Sequence, residues 1–221
     1  RWPAVGRTYR LVRERLGDDA AVAANIEGPV TRAGVLRGLD RLAIDLAADP
    51  AMAERLVDLS TEIAVRHVPV LLEAGADFVF VAAATDGPAV ISPEAYKRFT
   101  IPGLRRIVEA AGDVPVVFHP HGRFTDPRFR YLVDAAIDCG IAGFQLSEGC
   151  DMAVARDLWG DRICLLGGPD ISKVLVPGPP ERVRKVTRRY LRDGMGDGGY
   201  VVMASCSLHR GANLAHIDAM V

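Results

Sequence analysis

Six short apolar runs, at residues 21–26, 77–83, 114–118, 143–147, 163–166 and 200–204, each end near glycine, proline, histidine or a small polar residue. Hydrophobicity this continuous over so few residues reads as strands buried on both faces, as in a parallel sheet. The stretches between them repeat apolar positions at helical spacing. Residues 50–74 carry Met52, Leu56, Leu59, Ile63, Val70 and Leu71, with Gly75 as the stop. Ser92, Pro93 and Glu94 form a helix start: a capping hydroxyl, a proline at the first helical position and an acid in the first turn. Pro102 and Gly103 are expected to break or kink that helix ahead of 104–111. Residues 151–158 and 180–192 supply two more helices. Arg182, Arg184, Lys185, Arg188 and Arg189 mark the second as solvent-facing.

Alternating strands and helices predict an α/β fold, either a doubly wound open sheet or a (β/α)8 TIM barrel. No G-x-G-x-x-G follows the first strand, which weakens a dinucleotide-binding reading. A complete barrel takes about 250 residues, whereas these 221 hold six β/α units. The expectation is one barrel domain over 1–221 with its N-terminal units missing. Lys and Arg number 27 against 28 Asp and Glu, a net charge of -1. That balance gives no global reason to bind nucleic acid or an anionic membrane. No apolar run reaches bilayer-spanning length. Four cysteines make no disulfide framework, so a reducing, cytoplasmic location is expected.

In either α/β arrangement, chemistry gathers at the C-terminal ends of the strands. His119 and His121 stand two apart at the end of the third strand, which turns both imidazoles to one side. Glu148 and Cys206 stand at the ends of later strands, in line with the alternations 142, 144, 146, 148 and 200, 202, 204, 206. Imidazole, thiolate and carboxylate are donors that zinc prefers. Blander roles remain open: Glu148 as a carboxylate beside a helix start, Cys206 as an inert buried thiol. Asp86, Gln145 and Glu27, also at strand ends, are candidates for orienting substrate or a ligand. Cys139, Cys150 and Cys164 read as packing residues, His67 as structural, and His209 and His216 as loop or helix-surface residues.

Five motifs in order, Asn25-Ile26-Glu27-Gly28-Pro29, Gly75-Ala76-Asp77, Ile91-Ser92-Pro93-Glu94, Gly167-Gly168-Pro169-Asp170 and the Cys206 segment with Asn213 and Ala219-Met220, resemble the uroporphyrinogen decarboxylase-like superfamily. The resemblance is nearer to its corrinoid-dependent methyltransferase branch, the methylcobamide:coenzyme M type. It implies a (β/α)8 barrel and zinc-dependent methyl transfer between a methyl-corrinoid (methylcobalamin) carrier protein and a small thiol or similar acceptor. Carried over by motif, it implies zinc on His119 and Cys206, with Glu148 at the carboxylate strand end. From their own strand-end positions, Glu148 and Asp86 are the catalytic candidates, and Glu27 and Gln145 the substrate-binding ones. His121 stands where that branch has its first cysteine, so the implied metal set is His119, His121, Glu148 and Cys206. The competing readings are a metal-free decarboxylase-like enzyme, a metal-dependent amidohydrolase, and a non-catalytic corrinoid-binding homologue. The amidohydrolase type wants its H-x-H on the first strand, and here it lies on the third.

Overall fold

The computed structural model describes residues 2–196, 198–208 and 210–221. His209 lies outside the described residues. The chain divides into two compact units. One comprises Arg1–His121 with Tyr131–Ala142, and the other Gly122–Arg130 with Gly143–Val221.

The first unit runs α1 (Trp2–Leu16), β1 (Ala23–Glu27), α2 (Pro29–Arg37), α3 (Leu39–Ala48), α4 (Pro50–Glu73), β2 (Phe78–Ala83), α5 (Pro93–Ala95), a π-helical turn (Tyr96–Thr100), α6 (Ile101–Ala111) and β3 (Val116–Pro120). Most of α7 (Arg130–Ile137) also belongs to it. Its strands pair in parallel, β1 with β2 and β2 with β3. Parallel neighbours need a crossover, and the helices supply it. One sheet face, with Ala24, Ile26, Val79, Val81, Val116 and Phe118, is buried. The opposite face places Glu27, Ala82 and His119 in one register row, with Phe80 a step before them on β2.

Helix starts follow local chemistry. The Ser92 hydroxyl accepts from Ala95 N at 3.1 Å, as the Ser-Pro-Glu reading requires. The irregularity expected at Pro102-Gly103 falls just ahead of them: α5 passes into the π-helical turn, and α6 begins at Ile101 with Pro102 in its first turn. The π-helical turn just ahead widens the backbone and absorbs the irregularity before the proline. Gly103 faces α2 and α4, where a Cβ would lie 2.6 Å from Pro29 Cγ and 2.7 Å from Thr61 Oγ1.

The second unit runs β4 (Gly143–Gln145), α8 (Met152–Trp159), β5 (Cys164–Gly167), a second π-helical turn (Ile171–Leu175), α9 (Pro180–Gly194), β6 (Tyr200–Val202) and α10 (Leu214–Asp218). Pairing is again parallel and sequential, β4 with β5 and β5 with β6. Among the described residues neither unit shows the reversal of strand order that marks a doubly wound sheet. Each unit holds three parallel strands paired in sequence, as expected for the barrel type. The Tyr200 ring lies against Gly194 of α9, which makes the face bearing Phe144, Leu165 and Tyr200 the helix side.

The expected strand lengths need one correction. β4 stops at Gln145 and β6 at Val202, so the alternations drawn to Glu148 and Cys206 run past the strands. Both residues sit on loops, and other contacts hold them. Among the described residues no helix is long and apolar enough to cross a membrane.

Candidate metal centre

In the first unit, His119 is buried within β3 and His121 follows one residue past its end. Their Nε2 atoms face each other at 3.2 Å, and the rings meet edge to face with centroids 4.9 Å apart. Two nitrogens at about 2.0–2.1 Å from a tetrahedral zinc would be separated by roughly 3.3 Å. The imidazole pair therefore has the spacing of two ligands on one ion. The His121 backbone is held by the loop after β2, since Ala89 N donates to His121 O at 3.1 Å. Gly87 makes this approach possible: a Cβ there would lie 2.2 Å from His121 O.

Asp86 is fully buried and hydrogen-bonded to the start of α2. Its Oδ1 accepts from Val30 N at 2.9 Å, and its Oδ2 accepts from Thr31 N at 2.7 Å and Thr31 Oγ1 at 2.6 Å. These bonds close the start of α2, where Gly28 at the N-cap makes no side-chain bond. Burial pushes the Asp86 carboxyl above its ordinary value, and the bonds from Thr31 and Val30 oppose the rise. Glu27 shares the sheet face of His119 and forms a loose ion pair with Arg32 at 3.4 Å. His67 lies in α4, where burial lowers its pKa and the Arg32 charge adds to the effect.

In the second unit, Glu148 Oε1 accepts a 2.8 Å hydrogen bond from Ser205 Oγ. Cys206 follows Ser205 and packs, half-buried, against the cluster of Ile171, Val174, Leu175, Val183, Ala204 and Ala219. Burial pushes its thiol pKa up, a bond from Ser207 opposes this, and the nearby Glu148 charge raises it further. Gln145 is buried and donates through Nε2 to Ala204 O at 3.0 Å, which ties β4 to the loop after β6. So this unit gathers Glu148, Gln145 and Cys206 around the 204–206 segment, while the first gathers His119, His121 and Glu27 on one face.

The remaining candidates hold structure. Cys139 Sγ donates to Ala135 O at 3.3 Å, and Cys150 Sγ donates to Gly122 O at 3.2 Å. None of the four cysteines is in a disulfide. His216 lies in α10 with Nδ1 2.7 Å from Leu175 O, and Asn213 caps that helix through Ala215 N. Sequence reasoning passed over Ser205 and Gly87. Each sat beside a residue already singled out, and neither belongs to a type that advertises metal chemistry.

The model of the uroporphyrinogen decarboxylase (URO-D) family matches residues 1–221. The chain belongs to the URO-D family. Within it, the chain is similar to a methylcobamide:CoM methyltransferase, MtaA, of Methanosarcina barkeri, at 29% identity over 222 residues. That match covers 100% of this chain and 62% of the relative. A uroporphyrinogen decarboxylase of Chlorobium phaeovibrioides is 30% identical over 149 residues, covering 65% of this chain and 39% of that protein. Among solved structures, a methyltransferase from Methanosarcina mazei superposes with a TM-score of 0.86 at 23% identity, covering 99% of this chain and 62% of that one. That likeness carries the fold, a URO-D barrel of TIM type. The chain thus spans 62% of the length of the methyltransferase it matches.

Proposed function

We propose that this URO-D member belongs to a corrinoid-dependent methyltransferase, which moves a methyl group between a methyl-corrinoid protein and a small thiol, with zinc at the reacting sulfur. The 3.2 Å imidazole pair of His119 and His121 carries the metal reading. The donor types of His119, His121 and Cys206 support it, and so does the likeness to named methylcobamide:CoM methyltransferases over the whole chain. His119, His121 and Cys206 would hold the ion, with Glu148 proposed as a fourth ligand.

Zinc, when bound, lowers the pKa of an acceptor thiol so that its thiolate exists at neutral pH. The protein's residues set how that thiolate behaves. Two neutral imidazoles, one carboxylate and one thiolate balance a divalent ion to zero formal charge. A set with a second thiolate in place of His121 would stand at -1. The histidine therefore favours ionisation of the acceptor over nucleophilicity of its sulfur. Phe80, its ring centroid 5.9 Å from that of His119, walls this side of the site with apolar surface. Glu27 shares the sheet face of His119, which supports the reading of it as a substrate-binding residue. Asp86 serves by fixing the start of α2 directly after Glu27 and Gly28.

The activity is tested by following methyl transfer from methylcobalamin to a panel of small thiols, with the demethylated corrinoid read by absorbance. Thiol-dependent turnover is the expected result. No turnover with any thiol, together with carbon dioxide release from a porphyrinogen, would replace this reading with the decarboxylase.

A further inference from the structure

In the second unit a single buried hydroxyl joins the loops that follow β4, β5 and β6. Ser205, 2% exposed, donates its backbone N–H to Pro169 O at 3.2 Å. Its Oγ accepts from Ile171 N at 3.1 Å and donates to Glu148 Oε1 at 2.8 Å. The direction of these bonds is forced. A backbone N–H can only donate, so Ile171 occupies a lone pair of Oγ and the one hydroxyl hydrogen goes to Glu148. A carboxylate so held has Oε1 committed to this bond. The peptide that fixes Ser205 also fixes Cys206, the next residue.

We propose that Ser205 is a positioning residue of the metal centre: it orients Glu148 through its hydroxyl and Cys206 through the backbone, and so sets zinc affinity. The inference rests on the zinc reading above. Groups that orient metal ligands change affinity by about 10–100-fold when removed. The two arms at Ser205 also separate. The Ile171 arm is structural and persists whatever stands at 148, whereas the Glu148 arm matters only while the carboxylate is there.

The test is chelator-competition titration of the intact protein with zinc alone, for wild type, Ser205→Ala, Glu148→Ala and the double variant, with thermal unfolding of each apo form. Ser205→Ala is expected to weaken zinc binding by about 10–100-fold in the wild-type background, with no further loss beside Glu148→Ala. Ser205→Thr and Ser205→Val compare a hydroxyl with a methyl at matched volume, so this pair decides the matter if Ser205→Ala does not fold. Threonine should then bind zinc at least about tenfold more tightly than valine. Equal affinities in the pair, or an equal loss from Ser205→Ala in both backgrounds, would overturn the proposal and leave the metal reading standing. A wild type that takes up no zinc would overturn both.

Discussion

Replacing Asp86 with alanine removes the acceptor of three hydrogen bonds, two of them from backbone N–H groups at the start of α2. Val30 N is buried with the carboxylate, so water does not take over freely. Each buried donor left unpaired costs about 1–3 kcal/mol. A lost helix cap costs about 0.5–2 kcal/mol in exposed settings. Asp86→Ala is therefore expected to destabilise the protein by about 3–5 kcal/mol, a fall in Tm of roughly 10 °C for a chain of this size. Asp86→Asn keeps one acceptor and sheds a charge that burial disfavours, so about 1–2 kcal/mol is expected. The pH dependence follows from the raised pKa. The folded protein holds this proton more tightly than the unfolded chain does. That contribution is present in full below the unfolded value and is lost as pH rises through the folded one. Denaturant midpoints across a pH series, for wild type and both variants, measure all of this, and Asp86→Asn should remove that pH-dependent component. An Asp86→Ala protein as stable as wild type would refute the capping account. A stable Asp86→Asn protein with abolished methyl transfer would return Asp86 to the reacting groups.

Three shorter tests bear on neighbouring parts. Gly87→Ala places a methyl 2.2 Å from the backbone oxygen of His121, which no side-chain rotation relieves, so the His121 backbone or the loop must move. Zinc affinity should fall by about tenfold or more, and an unchanged titration would contradict the positioning of His121 by this loop. Ser92→Ala removes the bond to Ala95 N and should cost about 1 kcal/mol in denaturant unfolding; no change in midpoint would show that the cap is idle. Asp126, bonded to the Arg128 guanidinium and backbone, is lowered to about 2. Carboxyl NMR titration should find it there in wild type and higher in Arg128→Ala, which loses the guanidinium but keeps the backbone bond; the same midpoint in both would dismiss the pairing.

The barrel type was legible because the strands that matter most are buried on both faces. β3 is buried at all five positions, and an apolar run of that kind has few other uses. Helices flanked by caps were legible as well. The small helices α2 and α3 were not, since their exposed Val35, Leu36, Leu39 and Ile44 blur the apolar stripe that marks a helix face. At the site, the His119–His121 pair followed from strand periodicity alone. Glu148 is a candidate by its position in the chain, but the periodicity behind it fails, because β4 ends at Gln145. What holds Glu148 is a hydroxyl 57 residues away in sequence, a link that no local pattern encodes. Asp86 is singled out by its strand end, while its bonds from Val30 and Thr31, some 55 residues away, are a capping role that no local pattern encodes.

Metal content measured on the intact protein tests the central claim most directly, with wild type beside His119→Ala and Cys206→Ala, each purified without added zinc and analysed by elemental mass spectrometry. The account predicts near-stoichiometric zinc in wild type and a large loss in both variants while the apo fold persists. A folded wild type that neither retains zinc nor takes it up when supplied would contradict it.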